Sequence, residues 1–328
     1  MSKHHEDDIE SICKESTPAK KASLAASPFR DNLTKTALAL VLTAFATLTP
    51  ILIKVSHEYG NDDYASADVV ACAEAVKMIL CAGAMMRSST PCTRLGRKLT
   101  RQMASKILAL ALMYAVHNNA MIETVRIVSL ATFQVWFTWR ILVTALGMHM
   151  VMGKRFTRVQ IGALLVLVTG TMLTQWNGQH TQLNISLRGL AMIFVLVCTS
   201  SIAAVWNEAM LKNELMGSFS LQNLQLYAFG LFINLGLKCW HRDLKLWAAM
   251  LAWSPWTWAT VASMSLLGIA TSATLKYADN IVRAFAAAWA IIATSLVSWI
   301  AFEEKITCFF GLGSSLTCVA IAVYFGSH

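Results

Sequence analysis

The chain has 328 residues, of which 56% are hydrophobic and only 14% charged, with a formal net charge of +9 and a mean hydropathy of +0.53. Soluble domains carry about a quarter charged residues, so a chain this poor in charge cannot cover a globular surface with polar groups. A water-soluble enzyme, a nucleic-acid-binding domain and a disordered scaffold are excluded as main readings, which leaves a polytopic helical membrane protein.

Residues 1–35 are polar and mixed in charge, and the expectation is a disordered cytosolic tail. The tail has no apolar h-region, so it is not a secretory signal peptide. Apolar runs then cover residues 36–56, 67–86, 104–122, 129–152, 159–176, 187–206, 221–240, 255–275, 281–302 and 306–325. The reading is an all-α membrane protein with ten transmembrane helices, one domain over residues 36–326. An even number of spans places both termini on one side. Basic residues concentrate in the tail and in the loop after the second run (Arg87, Arg94, Arg97, Lys98, Arg101, Lys106), so that side is the cytosol. The sequon Asn184-Ile185-Ser186 then falls in a lumenal or extracellular loop, a candidate for glycosylation. The eight cysteines form no C-x-x-C and have no histidine at zinc spacing. They read as small apolar residues rather than a metal site or a disulfide framework.

An internal repeat is visible at a shift of 150 residues. Trp139, Ile141, Thr144 and Leu146 meet Trp289, Ile291, Thr294 and Leu296. The shift spans five helices, an odd number, so the copies cross the membrane in opposite directions. That is the pattern of two inverted five-helix repeats, about 36–176 and 187–326, a signature of transporters.

Five basic residues fall in or beside apolar runs: Lys54, Lys77, Arg140, Lys276 and Arg283. Lys54 and Arg283 lie near helix ends and can snorkel. Lys77 has Glu74 three residues earlier on its own helix face, which reads either as an intrahelical ion pair or as part of a gate. Lys276 has Asp279 three residues on, and a local pair is one reading. Arg140 sits mid-run with no acid within a turn or two. Burying such a cation costs roughly 2.5–3.5 kcal/mol on insertion scales unless it is paired or faces a watery cavity. Glu74 or Glu123 on another helix is one partner; an anionic ligand is the preferred one. Arg and Lys together suit phosphate, the first as a bidentate fork and the second as a point charge. Tyr114-Ala115-Val116-His117-Asn118-Asn119 places three consecutive polar side chains in an apolar run, read either as interhelical hydrogen-bonding glue or as an edge-reader of a polar ring such as a nucleobase. Gln222, Asn223, Gln225 and Tyr227 repeat the theme, and Phe133 is a candidate stacking surface.

Several of these segments resemble the nucleotide-sugar transporter family of the drug/metabolite transporter superfamily, in the branch carrying CMP-sialic acid, UDP-galactose and UDP-N-acetylglucosamine. Residues 276–285, KYADNIVRAF, are similar to that branch's K-Y-[AT]-D-N-I-x-K-G-F. Residues 114–119, 133–141, 74–77, 207–212 and 223–227 resemble its other motifs in the same order. Arg140 stands where the family has Lys, Phe133 where it has Tyr, His117 where it has Gln, and Arg283-Ala284 where it has Lys-Gly.

The resemblance implies an antiporter that exchanges a cytosolic pyrimidine nucleotide sugar (a UDP-sugar or CMP-sialic acid) for a lumenal nucleoside monophosphate by alternating access. Arg140 and Lys276 would neutralise the phosphates. Tyr114, His117, Asn118, Asn223, Gln225 and Tyr227 would read base and ribose, with Phe133 lining the pocket. Glu74, Lys77, Tyr277, Asp279 and Asn280 would form a gating or structural network. It also implies the Golgi membrane, with the endoplasmic reticulum as alternative, no cofactor or metal, and no enzyme chemistry. The bilayer is the expected surrounding, and a homodimer or glycosyltransferase partners are further expectations. The alternatives are another drug/metabolite-type carrier of small phosphorylated or organic solutes, or a non-transporting scaffold for glycosyltransferases.

Overall fold

The structure, a computed structural model, describes residues 28–59, 64–87, 101–176, 185–212, 219–240, 250–302 and 307–327. Their regular structure is helical: α1 Pro28–Glu58, α2 Ser66–Arg87, α3 Arg101–Ile127, α4 Leu130–Phe137, α5 Arg140–Met152, α6 Arg158–Thr174, α7 Leu187–Lys212, α8 Phe219–Trp240, α9 Pro255–Tyr277, α10 Asn280–Phe302 and α11 Cys308–Gly326. No strand occurs among the described residues. Helix already covers residues 28–35, ahead of the apolar run that begins at residue 36 and within the segment expected to be a disordered tail, whose residues 1–27 lie outside the described ones. The sequon at Asn184 lies outside the described residues.

Seven segments among the described residues, with α4 and α5 counted as one, are long and apolar enough to cross a membrane. The others each have a reason to fall short. Helix α6 has 17 residues. Helices α3 and α8 carry the Tyr-Ala-Val-His-Asn-Asn and Gln-Asn-Leu-Gln stretches that lower their hydropathy. Large apolar side chains such as Leu40, Ile79, Met150, Phe194, Phe232 and Ile300 stand on the outside. In water such a surface would aggregate, whereas hydrocarbon solvates it.

The fourth apolar run is not one helix. Thr138 and Trp139 form a turn between α4 and α5. The Thr138 hydroxyl donates to the Gln134 carbonyl at 2.7 Å, and the Trp139 N–H reaches only three residues back, to Trp136. Threonine back-bonding and a tightened turn bend a helix without proline or glycine. Helix α5 begins at Arg140, directly after this bend. It ends at Gly153, whose φ of 66° is a left-handed conformation that glycine adopts without a Cβ clash. A reciprocal capping box of Thr157 and Gln160 then starts α6.

Helix pairing follows a pattern. Helix α9 lies along α1 as α3 lies along α7; α10 packs on α1 as α5 packs on α7; α9 packs on α2 as α3 packs on α8. Helices α2 and α8 run together, and so do α6 and α11. The α6–α11 crossing is close because Gly170 and Gly313 face it: a Cβ on Gly313 would stand 2.5 Å from the Thr174 backbone nitrogen. One apolar cluster joins α1, α2, α3, α4, α7 and α9 through Ile53, Ile122, Phe133, Leu196 and Val261. A second joins α5, α6, α10 and α11 through Met148, Leu167, Phe285 and Tyr324. Phe133 of the first cluster and Ile141 of the second both line the cavity.

Candidate functional site

The cavity is lined from α1 to α5 and from α7 to α10, with Thr138 at the bend contributing directly; α6 and α11 take no part. Its free space is about 180 Å³, below the roughly 300–1,000 Å³ of sites that enclose drug-sized ligands.

On one wall, Lys77 donates to Glu74 Oε1 at 2.6 Å and stands 4.7 Å from the centroid of the Tyr227 ring. The spacing of three on α2 makes the pair, as the sequence indicates. Two glycines make room for it. A Cβ on Gly230 of α8 would meet Glu74 at 3.1 Å, and one on Gly268 of α9 would meet Lys77 at 2.9 Å.

The facing wall holds an aromatic stack. Phe133 and Phe137 are 5.0 Å apart at 21°, and the His117 ring lies 6.1 Å from Phe137 at 23°. The Arg140 guanidinium rests 4.3 Å from the Phe137 centroid, a cation–π contact that the bend before α5 permits. His117 Nδ1 is buried without a hydrogen-bond partner. Tyr114 accepts a hydrogen bond from Asn207 at 3.0 Å.

Arg283 enters the cavity from α10 and donates to Asn280 Oδ1 at 3.0 Å. Its place near a helix end suggests snorkelling, yet it stands in the motif KYADNIVR and one turn inside α10. Among the described residues, no carboxylate pairs with either Arg140 or Arg283. Glu123, an expected alternative partner of Arg140, is 3.1 Å from Arg126 instead.

Of the expected substrate residues, the structure brings Tyr114, His117, Asn118, Phe133, Arg140 and Tyr227 to the cavity, and Glu74 and Lys77 with them. Asn223, Gln225 and Lys276 are not in its lining. Asn223 shares the face of Tyr227 but lies one turn along α8, buried with its Oδ1 unpartnered. Lys276 turns to the backbone carbonyl of Leu211 at 2.5 Å. Asp279 pairs with Lys154 at 2.9 Å, not with Lys276. Asn280 donates to Glu208 Oε2 at 2.6 Å, and Tyr277 is exposed. Gln134, Ser200, Thr271, Ser272 and Thr294 also line the cavity, beyond the residues that sequence reasoning points to. The signal for Gln134 was its place in the segment from Phe133 to Ile141.

These features have counterparts in known proteins. A family model described as nucleotide-sugar transporter matches residues 30–325. A Caenorhabditis elegans UDP-N-acetylglucosamine/UDP-N-acetylgalactosamine transporter is 29% identical over 314 residues, covering 87% of this chain and 91% of its own. CMP-sialic acid transporter 1 of Oryza sativa subsp. japonica is 26% identical, with 88% and 93% covered. The UDP-N-acetylglucosamine transporter of Rattus norvegicus is 29% identical, with 88% and 94% covered. One crystal structure superposes with a TM-score of 0.62 at 11% identity, covering 91% of this chain and 98% of that one, a likeness of fold alone.

Proposed function

The chain belongs to the nucleotide-sugar transporter family, and we propose that it exchanges a pyrimidine nucleotide sugar for a nucleoside monophosphate through the central cavity. The observation that carries this reading is the pair Arg140 and Arg283, two forked cations that line one cavity without a carboxylate partner among the described residues. Guanidiniums bind phosphate in a bidentate way, and the cost of holding them inside a membrane bundle is recovered when an anion arrives. The Phe133–Phe137–His117 stack offers a flat apolar surface to a base. Tyr114, His117, Asn118 and Tyr227 supply polar edges beside it. The relatives named for UDP-linked and CMP-linked sugars support a pyrimidine nucleotide as the shared part of the ligand.

Transport follows by alternating access. The bundle is read as ten spans, with α4 and α5 as halves of one, arranged as two inverted repeats of five. The paired helix contacts support this, because α9 on α1 becomes α3 on α7 when each span is exchanged for the one five places on. So does the burial of the 150-residue register: Thr144 and Thr294 are both buried, and Trp139 and Trp289 both face outward. Such symmetry gives two states of similar energy opening to opposite sides. On this reading both termini face the cytosol, which the basic tail and second loop support, and the membrane is that of the Golgi, with the endoplasmic reticulum as alternative.

The test is uptake by reconstituted vesicles. Vesicles preloaded with UMP or CMP should take up labelled UDP-N-acetylglucosamine or CMP-sialic acid faster than empty ones. Absence of trans-stimulation by either monophosphate, together with no melting shift on adding either to the purified protein, would overturn the reading.

A further inference from the structure

Helices α3 and α9 each carry a cation at the next-to-last position, Arg126 and Lys276. These residues are 150 apart, the register that also sets Trp139 against Trp289. The likeness continues into the following caps. Ser129 accepts from the Thr132 N–H at the start of α4, and Asp279, again 150 residues on, accepts from the Ile281 and Val282 N–H groups at the start of α10.

Both cations do the same unusual thing. A basic residue in a last helical turn ordinarily complements its own helix dipole. Arg126 instead donates to the carbonyl of Tyr64, two residues before α2, at 2.8 Å. Lys276 donates to the carbonyl of Leu211, in the last turn of α7, at 2.5 Å. In the 150-residue register, the end of α1 at Glu58 corresponds to Glu208 near the end of α7. Lys276 therefore ties the third span of its half to the end of the first, and Arg126 ties the third span of its half to the residues that lead into the second.

The two ties lie at opposite ends of the bundle. Helix α9 runs parallel to α2: Ser265 donates to the Ala73 carbonyl, and Gly268 faces Lys77. Lys276, at the C-terminal end of α9, thus lies toward the C-terminal end of α2. Tyr64 and Arg126 lie at the α2 N-terminus.

We propose that Arg126 and Lys276 are a symmetry-related pair of latches, one closing each end of the cavity, and that each must release for ligand to pass at its own end. This rests on the alternating-access reading above. Hydrogen bonds from charged donors shift an equilibrium by about tenfold or more. The Arg126 latch is the stronger, because its guanidinium also rests 4.4 Å from the Tyr64 ring centroid. Lys276 has the Leu211 carbonyl as its one hydrogen-bond partner among the described residues.

The test is hydrogen–deuterium exchange of the full chain in lipid nanodiscs, comparing wild type, R126A, K276A and the double variant. In a two-state bundle, releasing one end populates the state in which the other is closed. R126A should raise exchange about tenfold around residues 64–69 and 124–132 and lower it around 205–212 and 274–283. K276A should do the reverse, more weakly, and the double variant should return toward the wild-type balance. R126K and K276R, which keep a charged donor, should restore most of the protection and serve if the alanine variants do not fold. Increased exchange confined to the substituted end, with the far end unchanged, would overturn the latches and leave two structural tethers. A melting shift with UMP or CMP is recorded on the same samples. Reciprocal exchange without a nucleotide shift would fault the ligand reading and spare the latches; a nucleotide shift without reciprocity would do the opposite.

Discussion

The ends of the bundle and its central cavity treat the same kind of residue differently. Toward the ends, cations are matched within the chain: Lys238 with Asp68, Lys212 with Glu208, Lys154 with Asp279, and Arg126 with Glu123. In the cavity Lys77 has Glu74, but Arg140 and Arg283 have no carboxylate within ion-pair distance among the described residues. A buried charge is costly in either place. Where the counter-charge lies on another element, as Asp68 does for Lys238 and Asp279 for Lys154, the pair also holds those elements together. Where the chain supplies none, the anionic ligand proposed above would supply the counter-charge.

The comparison is sharpened most by removing one end-partner. Lys238 and Asp68 are each less than a tenth exposed and join α8 to α2. Asp68→Asn strands the lysine and should cost about 3–5 kcal/mol of stability, with much of it recovered in a Lys238→Met, Asp68→Leu double variant. Melting measurements would decide; an unchanged midpoint for Asp68→Asn would mean that this pair is solvated. Within the cavity, Glu74→Gln should cost about 3 kcal/mol for the same reason, but with one difference. Because the stranded Lys77 faces the ligand space, UMP or CMP should raise the melting temperature of this variant more than that of wild type. An equal shift would show that Lys77 takes no part in anion binding. Arg140→Ala and Arg283→Ala should leave stability unchanged or slightly raised, while each lowers exchange transport by about a hundredfold, equivalent to about 2.7 kcal/mol. Arg140→Lys should recover only part of this, since it keeps the charge and loses the fork.

The spans were legible because hydrocarbon demands long apolar helices, and the break at Thr138 was not, because no proline or glycine marks it. That bend comes from a hydroxyl bonding to Gln134, and the same hydroxyl in a straight helix would read identically in sequence. Arg140 was legible as a cavity residue because a cation in mid-run must face either a partner or a polar space. Arg283 and Lys276 could not be ranked by the same argument. Both lie near helix ends, in one motif, and only packing decides that the first turns into the cavity while the second turns to Leu211. The Glu74–Lys77 pair follows from spacing on one helix; the partner of Asp279 does not, since Lys154 is 125 residues away.

The smallest effect belongs to that last pair. Lys154 and Asp279 are about a third exposed, so solvent screens much of their attraction. Burial works to raise the Asp279 carboxyl, but the Val282 backbone N–H and the Lys154 ammonium outweigh it and hold it below the usual carboxylate range. With the folded value depressed, its contribution is fully present above the ordinary carboxylate pKa and is lost as pH falls through the lower folded value. Asp279→Asn keeps an oxygen for the α10 N-terminus and loses only the ion pair, so it should cost about 0.5–1 kcal/mol near neutral pH and nothing in acid. Asp279→Ala loses the cap as well and should cost about 1 kcal/mol more. Melting of the three proteins from neutral pH down into the acid range would separate the two contributions. If Asn and Ala cost the same at neutral pH, the cap contributes nothing and the residue acts through Lys154 alone.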